Sequence, residues 1–145
     1  MTTFLKVGES ATFTKTIGES DITLFAGLSG DFDPVHVDEV HASKTIFGRR
    51  IAHGGLVMAL LSTTASMMAR RSAERGATGT PVSLGYDRIR FTAPVFAQDT
   101  LTARYTVEEV DDGEARTRSK VEVTKATGEL CLVGTHLMKW VPAAK

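Results

Sequence analysis

The segment SGDFDPVH, at positions 29–36, places Asp31, Asp33 and His36 on one short loop. Pro34 fixes one backbone angle of this loop, and a stiffened loop can hold its side chains in place. Addition of water to a conjugated double bond needs one group that activates the water and another that protonates the neighbouring carbon. An aspartate and a histidine that reach the same water meet this need, so the loop predicts acid–base chemistry.

His53, Gly54 and Gly55 directly precede a long apolar segment that predicts a helix. The first N–H groups of a helix have no partner within it, and the helix dipole adds positive charge at that end. Glycine also lets a ligand approach the backbone closely. Because water addition to an enoyl thioester builds negative charge on the thioester oxygen, we expect this helix start to stabilise that charge without a metal.

Simpler roles fit the same residues taken singly. Asp31 and Asp33 suit Asx turns, a lone His36 suits a structural hydrogen bond, and the paired glycines suit close helix–sheet packing. Carboxylates and imidazole are also metal ligands. The sequence offers no further ligand cluster and the reaction needs no ion, so we expect no metal.

The N-terminal half of the chain predicts helices. A first strand is expected at about 11–16, and Ser20 is expected to cap a short helix that ends at the acidic loop. A second short helix is predicted at 38–44. The segment from 54 to about 69 is apolar on nearly every side, which predicts a buried helix. Arginines follow it, where they offset the helix dipole, and Gly76 is expected to end it.

The C-terminal half has a hydrophobic period of two, which is typical of strands. Apolar and polar side chains alternate over 101–108, and turns near Gly113 and Gly128 separate this strand from two others. With the segment 82–91, these strands predict an antiparallel meander. One buried helix and such a sheet predict a single α+β domain over 1–145, with the sheet wrapped around the helix. A second copy would cover the free sheet edges, so we expect a homodimer.

The composition excludes several classes of partner. Seventeen basic residues balance seventeen acidic ones, so no overall field attracts nucleic acid or an anionic membrane. The N-terminus lacks the apolar core of a signal peptide, and no apolar run approaches the ~20 residues that span a bilayer. The single cysteine, Cys131, cannot form an internal disulfide and is expected to be buried. We expect a cytoplasmic protein.

Two motifs together resemble the MaoC-like, R-specific enoyl-CoA hydratase family (hydratase 2). One is Phe25 followed by LSGDFDPVH, and the other is AHGG at the start of the long helix. The resemblance runs from about Val7 through Trp140, and the joint pattern is specific. It implies a hot-dog fold, in which a curved antiparallel sheet wraps a central helix. It also implies reversible hydration of a trans-2-enoyl-CoA to an (R)-3-hydroxyacyl-CoA.

The resemblance assigns roles to particular residues. It implies that Asp31 and His36 hold and activate the catalytic water, with the aspartate as base and the histidine as proton donor in one direction. Gly54 matches the residue whose backbone N–H binds the thioester oxygen, and Gly55 is expected to contact the substrate. Ser62 matches a serine that lines the site, although helix packing explains it equally well.

Asp33 departs from the family pattern, which usually has asparagine there. An ionised carboxylate only accepts hydrogen bonds, whereas an amide also donates. The change adds negative charge near Asp31, and Asp33 is expected to border the substrate. We interpret it as a variation within the family and not as a loss of function, and it leaves the substrate and the pH optimum open.

Arg88 and Arg90 are expected to share one strand face, where they would meet the phosphates of coenzyme A. Exposed strand charges without a ligand are the simpler interpretation. His41 and His136 have no evident partner and are expected to be structural. The expected substrate is a thioester of coenzyme A or of acyl carrier protein, and no further cofactor is expected because water addition changes no oxidation state overall.

Two other functions stay open. Hot-dog proteins often hydrolyse acyl-CoA, which would make this chain a thioesterase, but its loop matches the water-addition pattern instead. The second open function is that of a non-catalytic acyl-binding protein or a partner subunit of a heterodimeric dehydratase. Because Asp31 and His36 are both present, we expect a lyase: an enoyl-CoA hydratase or 3-hydroxyacyl dehydratase.

Overall fold

Five antiparallel strands form one sheet in the computed structural model, which describes residues 1–142. The strands are β1 (Ser10–Thr16), β2 (Thr80–Phe91), β3 (Thr100–Asp111), β4 (Arg116–Lys125) and β5 (Leu130–Val141). Their order across the sheet is β1-β3-β4-β5-β2. Only β3, β4 and β5 form a meander, so the inclusion of β2 in it was wrong. Strand β2 pairs with β5 at the far edge. The last three residues of the predicted domain, 143–145, lie outside the described residues.

Four helices precede most of the sheet in the described chain: α1 (Glu19–Ser29), α2 (Pro34–Val37), α3 (Glu39–Ala42) and α4 (Gly54–Glu74). Helix α4 packs one face against the sheet, chiefly against β1 and β3. That face carries Leu56, Val57, Leu60, Leu61, Thr64, Ala65, Met68 and Ser72, all buried. The sequence predicted that α4 is buried on nearly every side. In a single copy of the protein this is wrong, because the sheet covers only one face of the helix. Ser62 and Met67, on the other side, are exposed.

Local sequence signals predicted the positions of several helices and strands closely. The alternation in β3 is as predicted, with Leu101, Ala103, Tyr105 and Val107 buried between less buried neighbours. Helix α1 begins at the cap Gly18 rather than at Ser20, because the Asp21 carboxylate accepts the Gly18 N–H at 2.8 Å. None of the helices within residues 1–142 is long and apolar enough to cross a membrane.

A polar cluster centred on His136 of β5 joins side chains of β2 and β3. His136 is fully buried; its Nδ1 lies 2.9 Å from the Tyr105 hydroxyl and its Nε2 lies 2.8 Å from the Ser83 hydroxyl. The Tyr86 ring lies tilted against it, with centroids 4.5 Å apart. Burial lowers the pKa of His136 to about 4, so the ring is neutral near pH 7 and donates through one nitrogen while accepting through the other.

Candidate active site

The acidic loop between α1 and α2 is held by successive local hydrogen bonds. The Ser29 hydroxyl donates to the Phe25 carbonyl at 2.7 Å and accepts the Asp31 N–H at 3.1 Å. One Asp31 carboxylate oxygen, Oδ1, accepts the Asp33 N–H at 3.1 Å, and Asp33 Oδ1 accepts the Val35 N–H at 3.0 Å. Each bond spans only a few residues, which explains why the loop could be recognised from sequence.

The structure brings Asp31 and His36 together as predicted. His36 Nδ1 lies 2.7 Å from the Ile51 carbonyl oxygen, and a carbonyl only accepts, so Nδ1 carries the hydrogen. The other nitrogen, Nε2, faces Asp31 Oδ2 at 3.9 Å. That distance is too long for a direct hydrogen bond, but a single water can lie about 2.8 Å from both atoms. The pair is thus arranged to share one water.

His53 joins this pair, a position that its local sequence pattern did not predict. Its Nε2 lies 2.9 Å from the Asp31 backbone carbonyl oxygen, and its ring stacks on His36 with centroids 3.9 Å apart. It is 2% exposed and is the residue that caps α4. The only sequence signal was its place directly before the two glycines. The contact itself joins residues 22 positions apart, which no local pattern reveals.

Gly54 and Gly55 start α4 beneath two aromatic rings. A Cβ atom on Gly54 would lie 2.8 Å from the Phe91 ring, and one on Gly55 would lie 2.6 Å from the Phe25 ring. The His53 carbonyl accepts the N–H groups of the two residues that follow the glycines. Within residues 1–142 the Gly54 and Gly55 N–H groups have no protein acceptor. Glycine therefore serves packing here as well as access to the backbone.

A cavity of about 420 Å³ connects His36 with Gly54. The wall is mostly apolar and includes Phe91 and Val57, while Cys131 lines it from β5. Cys131 is buried as expected, and burial raises the pKa of its thiol, which keeps it a neutral wall residue. The space suits an apolar chain that places a polar reacting group between an imidazole and a helix start.

Three predicted substrate contacts lie elsewhere. Ser62 lines a separate hollow of about 120 Å³, together with Ser83, Tyr86 and His136, and does not border the larger cavity. Arg88 and Arg90 are exposed on β2. Because a bulge interrupts β2 there, with Arg88 at φ 53°, the alternation that predicted a shared face is broken.

Asp33 caps α2, where its carboxylate accepts the Val35 N–H. This position needs an acceptor, which an ionised carboxylate supplies as well as an amide does. The structure therefore explains why an aspartate is compatible with the fold of this loop. The side chain is exposed and does not line the cavity.

Potential ligand atoms of Asp31, His36 and His53 lie within 4.8 Å of one another. The two rings are stacked at 3.9 Å, with 27° between their planes. Since a ring nitrogen binds a metal within its own ring plane, an ion about 2.1 Å from both nitrogens would lie outside both planes. The His53 Nε2–H is also directed at the Asp31 carbonyl. This cluster is better suited to proton transfer than to holding an ion.

Comparison with known proteins identifies the family. The MaoC-like domain model matches residues 5–129 of this chain. The chain belongs to the MaoC-like domain family. The (R)-specific enoyl-CoA hydratase of Rhodospirillum rubrum is 46% identical to this chain over 103 residues, which cover 71% of this chain and 66% of that relative. The (R)-specific enoyl-CoA hydratase of Aeromonas caviae is 30% identical over 135 residues, 93% of this chain and 95% of that one.

A solved hydratase structure confirms the fold. The (R)-hydratase from A. caviae involved in PHA biosynthesis superposes with a TM-score of 0.81 at 29% identity, covering 95% of this chain and 98% of that one. The predicted α+β hot-dog fold and the family resemblance are therefore both confirmed. The alignment with the Rhodospirillum relative spans just under two thirds of that protein's length.

Proposed function

We propose that this MaoC-like protein is a hydro-lyase that reversibly hydrates a trans-2-enoyl-CoA to an (R)-3-hydroxyacyl-CoA. The observation that carries the proposal is the 3.9 Å gap between Asp31 Oδ2 and His36 Nε2 beside a cavity that also borders Gly54. An acid–base pair and free backbone donors are what water addition to a thioester requires. The (R)-specific hydratase names of its relatives support the stereochemistry.

In the hydration direction, the bridging water gives a proton to the Asp31 carboxylate as its oxygen bonds to C3 of the enoyl group. For this step the His36 ring carries a hydrogen on Nε2 as well as on Nδ1. It gives the Nε2 proton to C2 and becomes neutral, and the Nδ1–H bond to Ile51 keeps the ring in place. Asp31 then carries one proton more and His36 one fewer. Proton exchange between them through a solvent water restores the starting state. Dehydration runs the same steps backwards, so the two residues exchange roles.

The thioester oxygen gains negative charge while the C3–O bond forms. The Gly54 N–H, with no protein acceptor in the described chain and at the positive end of a 21-residue helix, is the proposed donor to that oxygen. Gly55 presents a second free N–H one residue later. This arrangement polarises the thioester through fixed dipoles, so the proposal includes no metal and no cofactor besides the coenzyme A of the substrate.

We also propose that two copies associate through the β2 edge. Every residue of this 12-residue strand is exposed or half-buried, whereas β3, β4 and β5 alternate with fully buried positions. A long unpaired edge strand favours association. Light scattering after size exclusion would test this, and a monomeric mass at micromolar concentration would contradict it. A phosphate contact for Arg88 and Arg90 stays a prediction.

The function is tested by mixing purified protein with crotonyl-CoA while enoyl absorbance and free thiol are followed together. Loss of absorbance without thiol, and a product with R configuration on a chiral column, is the expected result. Release of thiol would instead indicate a thioesterase. If neither signal changes, even with crotonyl-acyl carrier protein, the proposed hydratase activity toward short enoyl thioesters is wrong.

A further inference from the structure

We infer that His53 is a positioning residue, which sets the geometry of the Asp31–His36 pair and ties that pair to the start of α4. The inference rests on the proposed function for its effect on rate. It stands on three contacts of one side chain: with the Asp31 backbone, with the His36 ring and with the Phe25 ring.

The hydrogen bond to Asp31 fixes the tautomer of His53. The Asp31 carbonyl only accepts, so the 2.9 Å contact requires a hydrogen on Nε2. This bond holds the backbone of the residue whose carboxylate faces His36 Nε2. Asp31 is otherwise an exposed loop residue, held by local bonds to its neighbours. The His53 bond is thus the long-range anchor of the Asp31 backbone.

The ring of His53 also sets the orientation of His36. The two ring planes are 27° from parallel and their centroids are 3.9 Å apart. Rotation of the His36 ring about its Cβ–Cγ bond would therefore bring it against the face of the His53 ring. The Phe25 ring lies tilted against His53, with centroids 4.9 Å apart, and limits movement of His53. His36 is therefore held by a hydrogen bond at Nδ1 and by a flat surface beneath its ring.

His53 connects these groups to the proposed oxyanion donors through the backbone. Its carbonyl accepts the N–H groups of Leu56 and Val57 at 3.0 and 3.2 Å, which closes the first turn of α4. Gly54 follows it directly. One residue thus determines the spacing between the acid–base pair and the N–H that is proposed to bind the thioester oxygen, and errors of an ångström in such spacing reduce rates strongly.

Packing alone does not account for a histidine at this place. The ring is 2% exposed, and Nδ1 has no hydrogen-bond partner within residues 1–142. A buried acceptor without a partner is unfavourable, and a phenyl ring would fill similar space without it. What a phenyl ring lacks is the Nε2–H that reaches Asp31. This comparison indicates which variants separate the two roles.

The test replaces His53 with two residues that each keep half of its contacts. His53→Phe keeps the ring and loses the donor, and His53→Gln keeps a donor near the place of Nε2 and loses the ring. We expect kcat of His53→Phe to fall ~10-fold or more with KM within about twofold, since positioning acts on the transition state. His53→Gln is expected to recover a substantial part of that loss. The same pair of changes at the exposed His41 serves as the control.

A second measurement does not depend on activity. Nitrogen-15 spectra of the imidazole rings in the wild-type protein should show His53 with hydrogen on Nε2 and His36 with hydrogen on Nδ1. In His53→Phe, the His36 ring signals should shift or broaden, while the matched His41→Phe change leaves them in place. This second measurement still decides the positioning role if wild-type protein does not hydrate crotonyl-CoA, which would refute only the proposed function.

Several outcomes would overturn the inference. A wild-type His53 with hydrogen on Nδ1 would remove the bond to Asp31. Unchanged His36 signals in folded His53→Phe would show that the stack and the anchor do not orient that ring. For an active wild type, full activity of His53→Phe, an equal loss in both variants, or a change confined to KM would each contradict positioning through the Nε2–H.

Discussion

Two histidine clusters in this molecule use similar side chains in different ways. His136 has both ring nitrogens occupied, by Tyr105 and Ser83, in a fully buried position. His36 has one nitrogen held by the Ile51 carbonyl, while the other faces Asp31 across 3.9 Å at the cavity. A histidine can transfer a proton only through a nitrogen that substrate or water reaches. The comparison therefore favours the proposed proton transfer at His36 over one at His136, whose contacts are those of a structural residue.

The clusters also differ in how the chain assembles them. The loop around Asp31 is held largely by bonds between near neighbours. His136 instead contacts Tyr105 and Ser83, which are separated from it by 31 and 53 positions in the sequence. Local bonds form from the sequence of the loop itself. The contacts of His136 exist only after the sheet has brought β2, β3 and β5 together. Damage to the first cluster should affect rate, and damage to the second should affect stability.

The largest expected effect is on the rate. Asp31→Asn and His36→Gln should each lower kcat for crotonyl-CoA hydration ~10²-fold or more, because each removes a positioned proton donor or acceptor. His41→Gln, on exposed α3, is the matched control and should leave the rate unchanged. Stopped-flow absorbance and urea unfolding would be measured on the same samples. Near-normal turnover in either site variant would remove that residue from the mechanism.

The next effect concerns stability and pH. The folded pKa of His136, about 4, lies below the ordinary value of 6.5, so the unfolded chain binds the proton more readily between these values. The stability that this ring contributes is therefore fully present above pH 6.5 and is lost as the pH decreases toward 4. The shift corresponds to about 3 kcal/mol of unfolding free energy. Urea unfolding at several pH values measures it, and an equally steep decline in His136→Gln would contradict the assignment to this ring.

A smaller effect, on unfolding free energy, is expected at Gly55, which packs against the Phe25 ring. Gly55→Ala places a Cβ 2.6 Å from the Phe25 ring, and moving that ring disturbs its contact with His53. The strain outweighs the helix preference of alanine, so we expect a loss of about 1 kcal/mol in unfolding free energy. In a Phe25→Leu background the same change should cost nothing or stabilise. Equal costs in the two backgrounds would show that the ring contact is irrelevant.

The smallest effect is expected at Asp33. Asparagine caps helices about as well as aspartate, so Asp33→Asn should change the unfolding free energy by less than about 0.5 kcal/mol. Turnover should stay within about threefold, because the carboxylate is used as an acceptor for the Val35 N–H. Steady-state kinetics over a range of pH would check this. A large gain in turnover would mean that the native aspartate limits the reaction.

The sequence by itself determined the parts that depend on local bonds and on periodicity. The Asp31–His36 loop was recognisable because its Asx-type bonds and Pro34 act over a few residues. The alternation in β3 and the glycines at the start of α4 were equally local. These signals were sufficient to predict the α+β class and the proximity of Asp31 and His36.

Only the tertiary structure decided which distant groups meet. It placed β2 beside β5, left one side of α4 uncovered, brought the Phe91 ring over Gly54 and directed His53 at the Asp31 carbonyl. The contacts among these join segments that are distant in the sequence, and many partners would satisfy the same local pattern. Which partner is chosen depends on how the whole core packs, because burial and hydrogen bonding are optimised over all elements together.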